Sequence, residues 1–121
     1  MKNRIRFISH KHKKILLVDG SGCSAEQLEE FATLVPARLT AEPRGSVLLL
    51  ADFTGAQFGK KSLERFKPAL VLDRPYLKRS AWVGTEGLPK IFYEHLKNFS
   101  QRELPTFKTR EEAMDWLVKD E

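Results

Sequence analysis

"SVLLLADFTG", residues 46 to 55, decides how the rest of the chain is read. Five apolar residues in a row, Val47 to Ala51, give neither the alternation of a half-exposed strand nor room for an amphipathic helix. The run stops at Asp52, Thr54 and Gly55, residue types that turn a chain. Such a segment is expected of a strand covered on both faces, as in a parallel sheet. "KILLVDGSGCS", residues 14 to 24, repeats the form. Two buried strands, each ending in an Asp-led turn, imply an α/β layer with helices between them.

Periodicity supplies those helices. Ser24 and Gln27 form a capping box, and Leu28, Phe31, Ala32, Val35 and Leu39 recur at helical spacing, so a helix is expected over about 25–41. Pro36 lies inside it and predicts a bend or break near Val35. A second helix is expected over 60–73, with Leu63, Phe66 and Leu70 on one face and Pro68 within it. "LKRSAWVG", residues 77 to 84, is a third central strand. Leu88, Ile91, Phe92, Leu96 and Phe99 predict a third helix, with Pro89 in its first turn. "LPTFK", residues 104 to 108, is a short edge strand. Thr109 and Glu112 cap a last helix carrying Ala113, Trp116 and Leu117. At the front, "RIRFIS", residues 4 to 9, alternates as a strand should. A polar turn, "HKHKK", joins it to the next strand as an antiparallel hairpin.

The predicted fold is therefore a single α/β domain over residues 1–121, with a mixed, mostly parallel sheet of about five strands in the order β β α β α β α β α. No repeat, low-complexity tract or linker divides it. No apolar run approaches the roughly 18 residues that a membrane helix needs. The first residues lack the apolar centre of a secretory signal, and Cys23 is the lone cysteine, so a cytoplasmic location is expected. The formal charge of +5 is concentrated at one end. Lys2, Arg4, Arg6, Lys11, Lys13 and Lys14 precede any acid, while the remainder is nearly balanced. A local basic edge fits this better than a nucleic-acid groove, which would interleave exposed aromatics with the cations.

Candidate chemistry gathers in the three loops "DGSGCS", "DFTGAQFG" and "GTEG", which leave the carboxyl ends of the central strands, where α/β sheets bind ligands. Asp19, Ser21, Asp52, Thr54, Gly84 and Thr85 are the residues expected at such a site. They are equally the residues a strand-to-helix turn needs, and no loop matches a P-loop or dinucleotide signature. Asp52 as a phosphoacceptor, with Lys108 as a distant lysine, would want a second pair of acids, and only Asp19 is offered. His10 and His12 lack a third metal ligand, His95 sits near an apolar stripe, and Cys23 has no histidine close in sequence. No catalytic order is recognised, so no enzymatic activity, cofactor or metal is expected.

The stretches "KKILLVDGSG", "SVLLLADFTGAQF", "PYLKRSAWVGTEGLPKIFYEHLKNFS" and "TFKTREEAMDWL" together resemble the STAS-like superfamily, in its small stand-alone STAS/SEC14-like branch. The resemblance spans nearly the whole chain and is most specific in "KRSAWVGTEGLPKIFY". It implies a mixed sheet with the first strand at or near an edge. It also implies a regulatory or protein-interaction role without catalysis, with a protein partner, a homodimer, or a small lipid-like or anionic ligand as what is bound. In the anti-sigma-factor antagonists of the superfamily, a first Asp-led turn precedes an Asp-Ser-Ser-Gly switch whose second serine is phosphorylated. "DFTGAQF" resembles the first turn, and Ser62 in "GKKSL" falls on the phosphoserine position. Lys60, Lys61 and Leu63 depart from the switch.

Overall fold

A computed structural model describes residues 3–87 and 105–119, with Lys90 and Glu94 between them. The apolar stripe expected from Leu88 to Phe99, and His95 beside it, lie outside the described residues. The strands are β1 (Ile5–His10), β2 (Lys13–Asp19), β3 (Val47–Asp52), β4 (Leu77–Val83) and β5 (Thr106–Phe107). The helices are α1 (Ala25–Leu39), α2 (Lys60–Asp73) and α3 (Arg110–Leu117). The five strands form one sheet in the order β1-β2-β3-β4-β5, antiparallel at the β1 and β2 hairpin and parallel elsewhere.

The uninterrupted apolar runs follow from burial on both faces. Leu16 and Val18 of β2, with Leu49 and Ala51 of β3, meet Leu28, Phe31, Leu63 and Phe66 of α1 and α2 on one side. Ile15, Leu17, Leu48 and Leu50 point the other way, to a second core holding Ala113 and Leu117 of α3. The successive crossovers through α1 and α2 advance in one direction across the sheet. Right-handed connections then place both helices on the same face. Phe53 stacks in that face between Phe58, Phe66 and Trp82, with ring centroids 5.3 to 5.8 Å away.

Two expectations are corrected in detail. α1 runs unbroken past Val35, and α2 past Pro68. Pro36 lies in the last turn of α1, where it forfeits a single bond to the preceding turn. Its own carbonyl still receives the Thr40 amide at 2.9 Å, and buried Val35 and Leu39 hold the turn against the sheet. The last strand is also shorter than expected: among the described residues of 104–108, Thr106 and Phe107 form the strand and pair with Trp82 and Val83, and the Pro105 carbonyl accepts the Trp82 amide at 2.9 Å.

Leu16 and Leu17 are adjacent in sequence, fully buried, and belong to opposite cores. Leu16→Ala and Leu17→Ala should therefore each lower stability by about 2–5 kcal/mol. Urea denaturation should show both losses, because each removes packing from a different layer.

Candidate functional site at the strand ends

Parallel pairing of β2 with β3 puts Asp19 directly beside Asp52 at the carboxyl edge of the sheet. Each aspartate folds its own loop in the same way. Asp19 Oδ1 accepts the Ser21 amide at 3.1 Å and the Ser21 hydroxyl at 2.5 Å. Asp52 Oδ1 accepts the Thr54 amide at 2.9 Å and the Thr54 hydroxyl at 2.7 Å. The two turns are stitched together by main-chain bonds, the Gly20 amide to the Asp52 carbonyl at 2.7 Å and the Gly22 amide to the Thr54 carbonyl at 2.9 Å. The similarity of "DGSG" and "DFTG" thus has a local cause: two neighbouring strands turn by the same side-chain device.

The third loop closes against the second. Gly84 has a φ of +72°, and a Cβ there would overlap the backbone nitrogen and hydroxyl of Thr54. Only glycine lets the chain leave β4 so close to the β3 loop. Thr85 follows at the start of a short 3-10 turn, Thr85–Gly87. Asp19, Ser21, Asp52, Thr54 and Gly84 are therefore brought into one cluster, with Thr85 next to it in the chain.

The residue that organises the cluster escaped the sequence reading. Arg110, the first residue of α3, donates from Nε to Asp52 Oδ2 at 2.6 Å, and its second guanidinium nitrogen lies 3.0 Å from Asp19 Oδ1. A cation in the first turn of a helix faces the positive end of the helix dipole and is disfavoured there. That misplacement, directly after the Thr109 cap, was the available signal. The two carboxylates supply the compensation. Asp52 is almost wholly buried, with 7 % of its side chain exposed.

Burial opposes the charged form of Asp19. The Ser21 hydroxyl and amide, and then the Arg110 charge, outweigh it and hold the carboxyl below its ordinary value of 3.8. Burial likewise pushes the Arg110 guanidinium toward losing its proton, and the Asp52 hydrogen bond and charge reverse this, so its pKa is raised. The main-chain amides of Ser21, Thr54 and Gly22 at these turns serve Asp19, Asp52 and the Thr54 carbonyl. The geometry is that of a closed ionic clasp between α3 and two strands.

The other candidates lie apart from the clasp. Ser62 is fully buried, and its hydroxyl donates to the Gly59 carbonyl at 2.8 Å and accepts the Gly59 amide at 2.9 Å, closing the first turn of α2. His10 pairs with Asp115 at 2.8 Å, joined by Lys11 at 3.0 Å. Cys23 is buried, and the loss of solvent raises its thiol pKa, against the lowering that a helix start alone would suggest. Among the described residues, no group of three or more His, Cys, Asp or Glu side chains is placed to hold a metal ion, and no helix is long and apolar enough to cross a membrane.

No family model, curated protein or solved structure matches this chain.

Two measurements test the clasp. Arg110→Met leaves two carboxylates facing each other. It should cost about 1–3 kcal/mol at neutral pH, the loss of charge-assisted bonds from a partly exposed cation. Asp19 has a lowered folded pKa, so its contribution is complete above its unfolded value and is lost as pH falls through the folded value. The gap between wild type and Arg110→Met in urea titrations should accordingly narrow below about pH 4. A second contrast isolates the close approach at Gly84. Gly45 has a similar φ of +68° but open space around it. Gly45→Ala should cost about 1 kcal/mol, and Gly84→Ala at least about 2 kcal/mol more, read as shifts in the denaturation midpoint.

Proposed function

We propose that this chain is a binding module of the STAS-like kind, acting by protein interaction and not by catalysis, with the paired helices α1 and α2 as its recognition face. The observation that carries the reading is an apolar recess between those helices. Phe31, Val35, Phe66, Ala69 and Trp82 line it, together with the buried carboxylate of Asp73. Leu34 and Leu72, which flank the lining faces of α1 and α2 at helical spacing, stay 38 % and 60 % exposed. Together they offer a partner an apolar hollow with an apolar rim.

Size separates the two readings that the resemblance implies. The cavity volume is about 50 Å³. Ligand sites are usually about 300–1,000 Å³, and a cavity of roughly 150 Å³ is what accepts benzene. The recess is suited to the tip of one inserted side chain, which favours a protein partner over a lipid-like cargo. A phosphoserine switch at Ser62 has less support, because its hydroxyl is sealed in the first turn of α2 and phosphorylation would have to open that turn.

Ala32→Phe, which fills the recess, and Leu72→Glu, which charges its rim, should each weaken partner capture by about tenfold or more while leaving the denaturation midpoint nearly unchanged. Crosslinking in cells expressing each form is the direct measurement. An identical set of captured proteins for wild type and both variants would refute the assignment of this face. A bound small molecule seen by native mass spectrometry, and expelled by Ala32→Phe, would establish the ligand-carrier reading in its place.

A further inference from the structure

The basic first segment finds its place at an open sheet edge, on a different surface from the α1 and α2 recess. β1 is the outermost strand, and among the described residues no strand pairs with its outer side. The Asp19 amide donates to the Arg4 carbonyl at 2.7 Å, and the register pairs Ile5 with Val18. In antiparallel alternation, Arg4, Arg6, Ile8 and His10 therefore turn their main-chain groups toward β2, whereas Ile5, Phe7 and Ser9 turn theirs outward. The Ile5 carbonyl is occupied by the Arg38 guanidinium at 2.8 Å. The amides and carbonyls of Phe7 and Ser9 remain as a template for another strand.

Cations stand on both faces of this template. On the α1 side, Lys14 Nζ lies 4.0 Å from the centre of the Phe7 ring, and the Arg38 guanidinium 5.8 Å from it. On the other side, Arg6 is exposed and bonds the Asn3 carbonyl. Neighbouring acids offset this only in part: Glu42 lies 3.4 Å from Lys14, and Asp115 is engaged by His10 and Lys11. Two copies of such an edge would bring like charges together, which is unfavourable across a strand pair. An extended acidic segment gains both the main-chain bonds and the charge pairing.

We infer that β1 is a second docking site, taking an acidic segment of another protein in extended conformation as a sixth strand beside Phe7 and Ser9. Main-chain bonding supplies the alignment, and Arg6, Lys14 and Arg38 select for carboxylates. The edge charges also keep copies of the chain from pairing through β1.

A fluorescein-labelled octapeptide of glutamate and valine, titrated by fluorescence anisotropy onto the full chain, tests this. The expected result is saturable binding that falls about tenfold or more when alternate peptide amides are N-methylated, since side chains and charge are then kept and only donors are lost. Ser9→Pro should produce a similar loss, because the amide it removes points away from β2. Arg38→Glu should weaken binding, and Leu72→Glu should leave it unchanged. No binding of the octapeptide, or equal binding of the N-methylated form, would overturn the proposal. So would tighter binding of a single-stranded RNA of equal charge, which would make the edge an RNA surface. A concentration-dependent dimer abolished by Ser9→Pro would assign the edge to a second copy. Loss of peptide binding in Leu72→Glu would move the site to the recess. If Ser9→Pro perturbs folding, the N-methylated peptide decides alone.

Discussion

Arg110 occupies the point where two parallel strands, two loops and the last helix converge, and its guanidinium lies between the carboxylates of Asp19 and Asp52. Neighbouring parallel strands that both end in aspartate place two negative charges side by side in a partly dry environment, which is costly unless a cation comes between them. The cation arrives from the far end of the chain, nearly sixty residues after Asp52. It also suffers at a helix start unless acids face it. Each half of the clasp thus removes the other's electrostatic penalty, and α3 is tied across the sheet as a result. Asp52 keeps its other oxygen on Thr54, and Asp19 Oδ1 holds Ser21 and Arg110 at once, so the same two carboxylates join local turn chemistry to tertiary closure.

This closure bears on what the strand-end edge can do. Carboxyl ends of parallel strands are the usual place for ligands in α/β proteins. Here the polar groups at that place bind one another. The fold leaves two other surfaces incomplete. One is the recess over the sheet where α1 and α2 fail to meet fully, and the other is the unpaired side of β1. Both are the surfaces on which the proposed associations rest. They differ in chemistry: the recess would take an apolar anchor, the edge a charged and extended segment.

Much of the architecture could be read before any coordinates. The hairpin, the two buried strands and the helices from Ala25 and Lys60 followed from strand alternation, apolar run length, helical spacing and the Ser24 capping box, because those signals express local hydrogen bonding and the period of burial. The errors arose where local rules compete with packing. Pro36 argued for a bend or break, and the helix does not break there, because a proline in a last helical turn loses little and buried Val35 and Leu39 hold that turn in place. "LPTFK" has strand-like residues, but among the described residues the strand covers Thr106 and Phe107, with the Pro105 carbonyl taking the Trp82 amide just before it.

The sequence by itself determined the layer type, the position of the Asp-led turns and the concentration of positive charge at one end, because each depends on residues within a turn or two of one another. Tertiary structure decided what those features became. The resemblance between "LLVDGSG" and "LLLADFTG" told of two like turns. That they are neighbours, and that Arg110 lies between them, depends on strand order and on the face to which α3 returns. Contacts between residues so far apart in sequence leave no periodicity to read. For the same reason the cations of the first segment reveal their surroundings only once β1 stands at the edge of the sheet, with Arg38 of α1 reaching its main chain.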